Sequence, residues 1–83
     1  MKTLRGKIKT ERDGGIFEGV FEAYEFHNAK DYGNGNHLHI TLNGNSWKHV
    51  DVRYVKNYDF KNAVKEVFEN HYGSGLKKIT FSK

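Results

Sequence analysis

Side chains that could bind a metal ion or a partner are concentrated between residues 37 and 55. Apolar residues occupy every second position in 38–42 and again in 50–54. Alternation at period two predicts two strands of a hairpin, each with one buried face and one face in water. The face that contacts water would carry His37, His39, Thr41, His49, Asp51 and Arg53, with Trp47 nearby.

The register of this hairpin decides which polar side chains meet. A three-residue loop at 44–46 pairs Ile40 with Val50 and Leu38 with Val52, which keeps the apolar side chains on one face. A two-residue turn at 43–44 would mix the two faces, so the longer loop is predicted. The polar pairs would then be His39 with Asp51, His49 with Thr41, His37 with Arg53, and Asn43 with Trp47.

The three histidines suggest a metal site. Two histidines at i and i+2, with a third on the neighbouring strand, can direct imidazole nitrogens at one zinc ion, and Asp51 can be a ligand or orient one. Arg53 beside His37 would repel the cation, and His-x-His alone is a weak pattern. A metal-binding hairpin is therefore an alternative, with no metal ligand and no cofactor assigned.

The same face is a candidate surface for binding a partner. Trp, Arg and His side chains contribute strongly to binding interfaces, and a sheet holds them at low entropic cost. Trp47 could instead fold over the edge of the core. The candidate partner-binding residues are Trp47, His39, His49, Arg53 and, in the preceding polar loop, Tyr32.

Charge is distributed unevenly along the chain, with basic ends and an acidic segment over 11–29. If the first and last strands are neighbours, their cations would form a basic ridge able to contact phosphates. Lysines on edge strands also block edge-to-edge aggregation, which is the alternative. The candidate nucleic-acid-binding residues are Arg5, Lys7, Lys9, Lys77 and Lys78.

Length and composition narrow the class of protein. A length of 83 residues predicts one domain over 1–83, because so short a chain cannot build two cores. The net charge is +4. The chain has no Cys, which favours a reducing compartment, and no apolar segment of membrane-spanning length. With no signal peptide expected, the prediction is a cytoplasmic protein. The Gly-rich stretch at 33–36 lacks the residues of a phosphate-binding loop, and no catalytic motif is present, so an enzyme is not expected.

The periodicity predicts an α+β fold: a curved antiparallel sheet of about five strands with one helix packed on one face, in the order ββββαβ. Strands are expected at 3–11, 16–27, 37–42, 47–55 and 76–81. A helix is expected at 59–72, with Asp59 as N-cap and Gly73 as its stop. The segment 16–27 could also be a helix. As a strand, it would need a bulge near Ala23 to explain why Tyr24 and Phe26 fall out of phase.

The order of a strand after Trp47, a helix at 59–72 and a final strand at 76–81 resembles plant-type and integrase-arm DNA-binding modules. Those modules contact DNA through a three-stranded sheet backed by a helix, so the resemblance implies a DNA-contacting sheet. In length and in Lys, Asn, Tyr and Phe content, the chain is similar to small accessory proteins of bacteriophages and mobile elements, including anti-CRISPR inhibitors.

The expected function is a non-catalytic binding module for nucleic acid or for a protein that processes nucleic acid. Inhibition of a host defence nuclease by protein–protein contact is the first alternative, and the metal-binding hairpin is the second. An edge strand could also pair two copies of the chain into a homodimer.

Overall fold

The computed structural model describes residues 3–27, 36–52 and 59–82. These residues form an antiparallel five-stranded sheet with the strand order β4-β3-β2-β1-β5. The predicted α+β class with one helix is confirmed. The elements are β1 (Thr3–Arg12), β2 (Gly15–His27), β3 (Asn36–Leu42), β4 (Asn45–Asp51), α1 (Phe60–Tyr72) and β5 (Leu76–Ser82).

The β1–β2 hairpin turns at Asp13 and Gly14, whose φ angles of 52° and 79° suit a two-residue turn. Its register runs without a shift from Arg12 opposite Gly15 to the far end of β1, and the pairing of β2 with β3 is equally regular. The predicted bulge near Ala23 is therefore wrong, and so is the helical alternative for 16–27. The out-of-phase aromatic residues of β2 lie on the opposite face of a regular strand.

The predicted three-residue loop of the β3–β4 hairpin is also wrong. The chain turns at Asn43 and Gly44, with φ angles of 52° and 84°. The register then shifts by one residue between Thr41 opposite Ser46 and Ile40 opposite Lys48. This bulge returns the apolar side chains of β3 and β4 to one face of the sheet. The prediction had assigned that effect to a longer loop.

The bulge changes the cross-strand partners of the histidines. His39 lies opposite His49 instead of Asp51, and His37 lies opposite Asp51 instead of Arg53. Val50, in turn, pairs with Leu38 instead of Ile40. Arg53 and residues 54–55 of the predicted strand lie outside the described residues.

Helix α1 starts and ends as predicted. The Asp59 carboxylate accepts a hydrogen bond from the backbone N–H of Asn62 at 3.2 Å, and Gly73 ends the helix with φ 58°. The helix packs on one face of the sheet and completes a core of Ile8, Phe21, Ala23, Leu38, Ile40, Val52, Ala63, Val64 and Phe68. Within the described part of the chain, α1 is neither long nor apolar enough to cross a membrane.

Candidate functional site

The sheet face opposite α1, called here the open face, carries the candidate site. Burial alternates along β1, with Gly6, Ile8 and Thr10 buried toward the helix and the residues between them exposed. Two groups of side chains share the open face. The cationic region consists of Arg5, Lys7, Lys9 and Lys78, and the ring cluster consists of Tyr24, Phe26, His37, His39 and His49.

The cationic region depends on contact between the first and last strands, which was the condition for the expected basic ridge, and the structure shows this contact. β1 and β5 are hydrogen-bonded neighbours, with Lys9 opposite Lys78 and Lys7 opposite Thr80. Lys77 departs from the predicted ridge, because the register shifts between Lys9 and Thr10 and Lys77 contacts the carboxylate of Glu11 at 3.4 Å.

Glutamates of β2 offset part of the cationic region. The Arg5 guanidinium donates a hydrogen bond to the Glu22 carboxylate at 2.7 Å, and the Lys9 ammonium lies 3.5 Å from Glu18. These pairs are largely exposed, so each contributes little to the stability of the fold. They do, however, reduce the positive field of the strand.

Lys7 and Lys78 are the cations of this region that no acidic side chain contacts within the described part of the chain. Lys7 lies between Val20 on β2 and Thr80 on β5. Together with Lys9 and Glu18, these residues line a shallow depression of about 360 Å³. Among the described residues, the depression therefore combines positive charge that Glu18 compensates only in part with a small apolar surface.

The ring cluster occupies the other end of the open face, on β2, β3 and β4. The His37 and His49 rings are stacked with centroids 5.0 Å apart, and the Phe26 ring stacks near both, at 5.5 Å and 5.8 Å. Tyr24 meets His39 edge to face at 5.0 Å. His37 is 1% exposed, whereas His49 is exposed. The cluster thus runs from a buried ring to an exposed one.

His39 connects three strands of the sheet. Its Nδ1 and the Tyr24 hydroxyl are hydrogen-bonded at 2.6 Å, and its Nε2 and the Ser46 hydroxyl are hydrogen-bonded at 2.8 Å. In a neutral imidazole one nitrogen donates and the other accepts, so both hydroxyls can be satisfied at once. The connection fixes the orientation of the Tyr24 ring on the open face.

The arrangement of the histidines disfavours the metal-binding alternative. A shared ion requires imidazole nitrogens that converge in the planes of their rings. The nearly parallel stack of His37 and His49, with an 18° angle between planes, presents ring faces instead. Among the residues that the structure describes, no group of three or more His, Cys, Asp or Glu side chains is arranged to hold a metal.

Two histidines have pKa values below the usual value of 6.5. For His49, partial burial is the main cause, the charges of His37 and His39 add to it, and Asp51 acts in the opposite direction. For His71 on α1, partial burial again dominates, and the nearby Lys48 adds to it. Both lowered pKa values mean that the fold disfavours the imidazolium form.

We expect the protein to lose stability as the pH falls below about 6.5, the pKa in the unfolded chain. Between that value and the lower folded-state pKa values of His49 and His71, the unfolded chain binds more protons, so acid favours unfolding. Thermal unfolding between about pH 7.5 and pH 5 measures the effect. The double variant His49→Gln/His71→Gln should show a smaller decrease in Tm, and an unchanged decrease would contradict the assignment.

Trp47 does not project from the hairpin tip as a free anchor. Its ring stacks on Phe68 with centroids 4.8 Å apart, and it also contacts His71 and Tyr72 of α1. The bulge in β4 turns the indole toward the helix. The structure thus places Trp47 at the edge of the core, which was the alternative, and its predicted role in partner binding finds no support in this position.

The other predicted site residues divide into two sets. His39 and His49 lie together on the open face, whereas Tyr32 and Arg53 lie outside the described residues. Sequence reasoning missed Tyr24 and Phe26 as open-face residues. The sequence did contain a signal for them, because Tyr24 and Phe26 alternate out of step with the inward-facing residues of β2. That pattern indicates that they lie on the other face of a regular strand.

Comparison with known proteins assigns no family to the chain. No family model, no curated protein and no solved structure matches it. The function is therefore inferred from the geometry and charge of the open face.

Proposed function

We propose that the protein binds single-stranded nucleic acid across the open face of its sheet and performs no chemistry on it. The observation that carries the proposal is the presence of the ring cluster and the cationic region on one face that α1 does not cover. Proteins that bind single strands combine aromatic rings that stack on bases with cations that follow the backbone. Both components are present here.

The ring cluster supplies surfaces for base stacking. Tyr24 and Phe26 are half-buried and His49 is exposed, so their rings are held in place by neighbours while part of each remains accessible. Stacking on such rings contributes about 1–3 kcal/mol per base and tolerates any base. The hydrogen bond between Tyr24 and His39 reduces the entropy lost when a base stacks there.

The cationic region supplies contacts for phosphates. Lys7 and Lys78 are available for a ligand, while Arg5 and Lys9 are partly neutralised by Glu22 and Glu18. Along β2, Val20 beside Lys7 lies four positions from Tyr24, or roughly 13 Å at the rise of a strand. A strand of a few nucleotides could therefore contact both groups.

Replacing Lys7 with glutamate should weaken the binding of an oligothymidylate of about 12 nucleotides roughly tenfold and make the dependence on salt less steep. For single strands, the slope of log K against log salt concentration is about −0.7 for each phosphate contact. Three contacts would therefore give a slope of about −2. Fluorescence anisotropy over a range of salt concentrations measures both quantities.

Lys65→Glu is the matched control for this experiment, because it changes the net charge equally from an exposed position on α1. It should alter the affinity by no more than about twofold. An equal loss of affinity in Lys7→Glu and Lys65→Glu would show a general effect of net charge instead of a contact at Lys7. If the unmodified protein binds no single strand at all, the proposal is refuted.

A second candidate is inhibition of a nucleic-acid-processing protein by direct contact. Ile16 and Val20 are 59% and 56% exposed on the open face, beside side chains of both charges. Exposed apolar residues surrounded by mixed charges suit a protein interface. Failure to bind oligonucleotides, together with capture of a protein partner that Ile16→Ser and Val20→Ser release, would favour this candidate.

A further inference from the structure

Three lysines, Lys7, Lys9 and Lys78, line the depression, and strand pairing does not require them there. Lys9 and Lys78 are directly opposite each other on the open face, and Lys7 is the diagonal neighbour of Lys78. Side chains at opposite positions have Cβ atoms about 5 Å apart, and like charges there destabilise a sheet. The fold thus carries an unfavourable pair that an anion would relieve.

The residues around the depression compensate this charge only in part. Among the described residues that line it, Glu18 is the single acid, and its carboxylate contacts the Lys9 ammonium at 3.5 Å. Three ammonium groups and one carboxylate leave a net charge of +2. The Thr80 hydroxyl, opposite Lys7, adds a neutral hydrogen-bonding group at the same place.

We infer that this depression binds a terminal phosphate of a nucleic-acid strand, an inference that rests on the proposed function. A phosphate monoester carries a charge of about −1.5 to −2 at pH 7, because its second pKa is near 6. A phosphodiester within the strand carries about −1. The charge of the depression therefore matches the end of a strand better than its interior.

The position of the depression agrees with a strand end. It lies on β1, β2 and β5, roughly 13 Å along β2 from Tyr24 and the ring cluster. A terminal phosphate held among the three lysines would leave the following bases directed along the open face toward the rings. Apolar contact with Val20, which also lines the depression, would suit the sugar next to the phosphate.

The test compares four probes: an oligothymidylate with hydroxyl ends, the same strand with a 5′-phosphate, the same strand with a 3′-phosphate, and inorganic phosphate. We expect one phosphorylated strand to bind about tenfold more tightly than the hydroxyl-ended strand. Inorganic phosphate should reduce this advantage by competition, because it should weaken the binding of the phosphorylated strand more than that of the hydroxyl-ended strand. The end whose phosphate strengthens binding, 5′ or 3′, is the end that lies in the depression, and it gives the direction in which the strand crosses the open face.

Two variants locate the effect in the depression. Lys78→Gln and Thr80→Val should each reduce the tenfold advantage of the phosphorylated strand to about twofold or less. Because both residues lie on the face that also binds the hydroxyl-ended strand, the readout is the ratio of the two affinities within each variant. The control Lys65→Gln should retain the full advantage. An advantage that persists in both depression variants would overturn the location.

The outcomes separate this inference from the proposed function. Equal affinity for hydroxyl-ended and phosphorylated strands would overturn the terminal-phosphate site while leaving single-strand binding intact. Binding of inorganic phosphate alone, with no gain for either phosphorylated strand, would also overturn it. Failure to bind any of the three strands would refute both.

Discussion

Replacing Phe68 with alanine is expected to lower the free energy of unfolding by about 3–5 kcal/mol. The Phe68 side chain is completely buried, and its ring contacts Phe21 at 4.9 Å and Trp47 at 4.8 Å between centroids. Removing it opens a cavity where α1 meets the sheet and takes away the contact that holds the indole. Since small domains have total stabilities of about 5–15 kcal/mol, this one change could unfold a large fraction of the molecules.

Urea denaturation followed by circular dichroism and by the emission of Trp47 measures this loss. Because Trp47 is the single tryptophan of the chain, its emission reports directly on the packing against Phe68. Phe60→Ala is the matched control on the same helix, since Phe60 is only partly buried against the core, and we expect less than half the loss. A loss below about 1 kcal/mol for Phe68→Ala would contradict the described core.

Replacing Gly6 with alanine is expected to lower the free energy of unfolding by about 3 kcal/mol, at the upper end of overpacking effects. A Cβ atom at this position would collide with the carbonyl oxygen of Thr80 and lie 2.6 Å and 2.7 Å from ring carbons of Phe21. The carbonyl belongs to the β1–β5 pairing and the ring is buried in the core, so neither can move without loss. The missing side chain at Gly6 makes room for the Phe21 ring on the sheet.

Gly15→Ala is the control for this prediction. At Gly15 the nearest neighbour of an added Cβ would be the carbonyl oxygen of Arg12, at 3.8 Å, which is an ordinary contact. Its φ angle is not in the left-handed region, so alanine should be neutral or stabilise by a few tenths of a kcal/mol. Similar thermal unfolding of Gly6→Ala and the unmodified protein would show that β1 and β5 do not approach as closely as described.

The sequence predicted the sheet and the helix well, because alternation and capping are local signals. The periodicity of β1 and the cap at Asp59 each depend on a few neighbouring residues, and both were confirmed. The β3–β4 hairpin failed for a different reason. The apolar side chains of β3 and β4 must lie on the same face of the sheet, and this requirement was correct. A two-residue turn followed by a bulge satisfies it as well as a longer loop does.

Tertiary contacts explain why the site was predicted only in part. The bulge in β4 accompanies the packing of Trp47 on Phe68, a contact between residues far apart in sequence. The predicted basic ridge required β1 and β5 to be neighbours, which is correct. The glutamates of β2 that pair with Arg5 and Lys9 could be recognised only once the register between β1 and β2 was known.

Mapping of amide chemical shifts in isotope-labelled protein, during titration with an oligothymidylate, shows whether the open face binds single-stranded nucleic acid. We expect binding at this face, with the largest shift changes at Arg5, Lys7, Val20, Tyr24 and Thr80 and with the exposed side of α1 unaffected. Shift changes confined to α1, or no saturable change at low salt, would contradict this expectation.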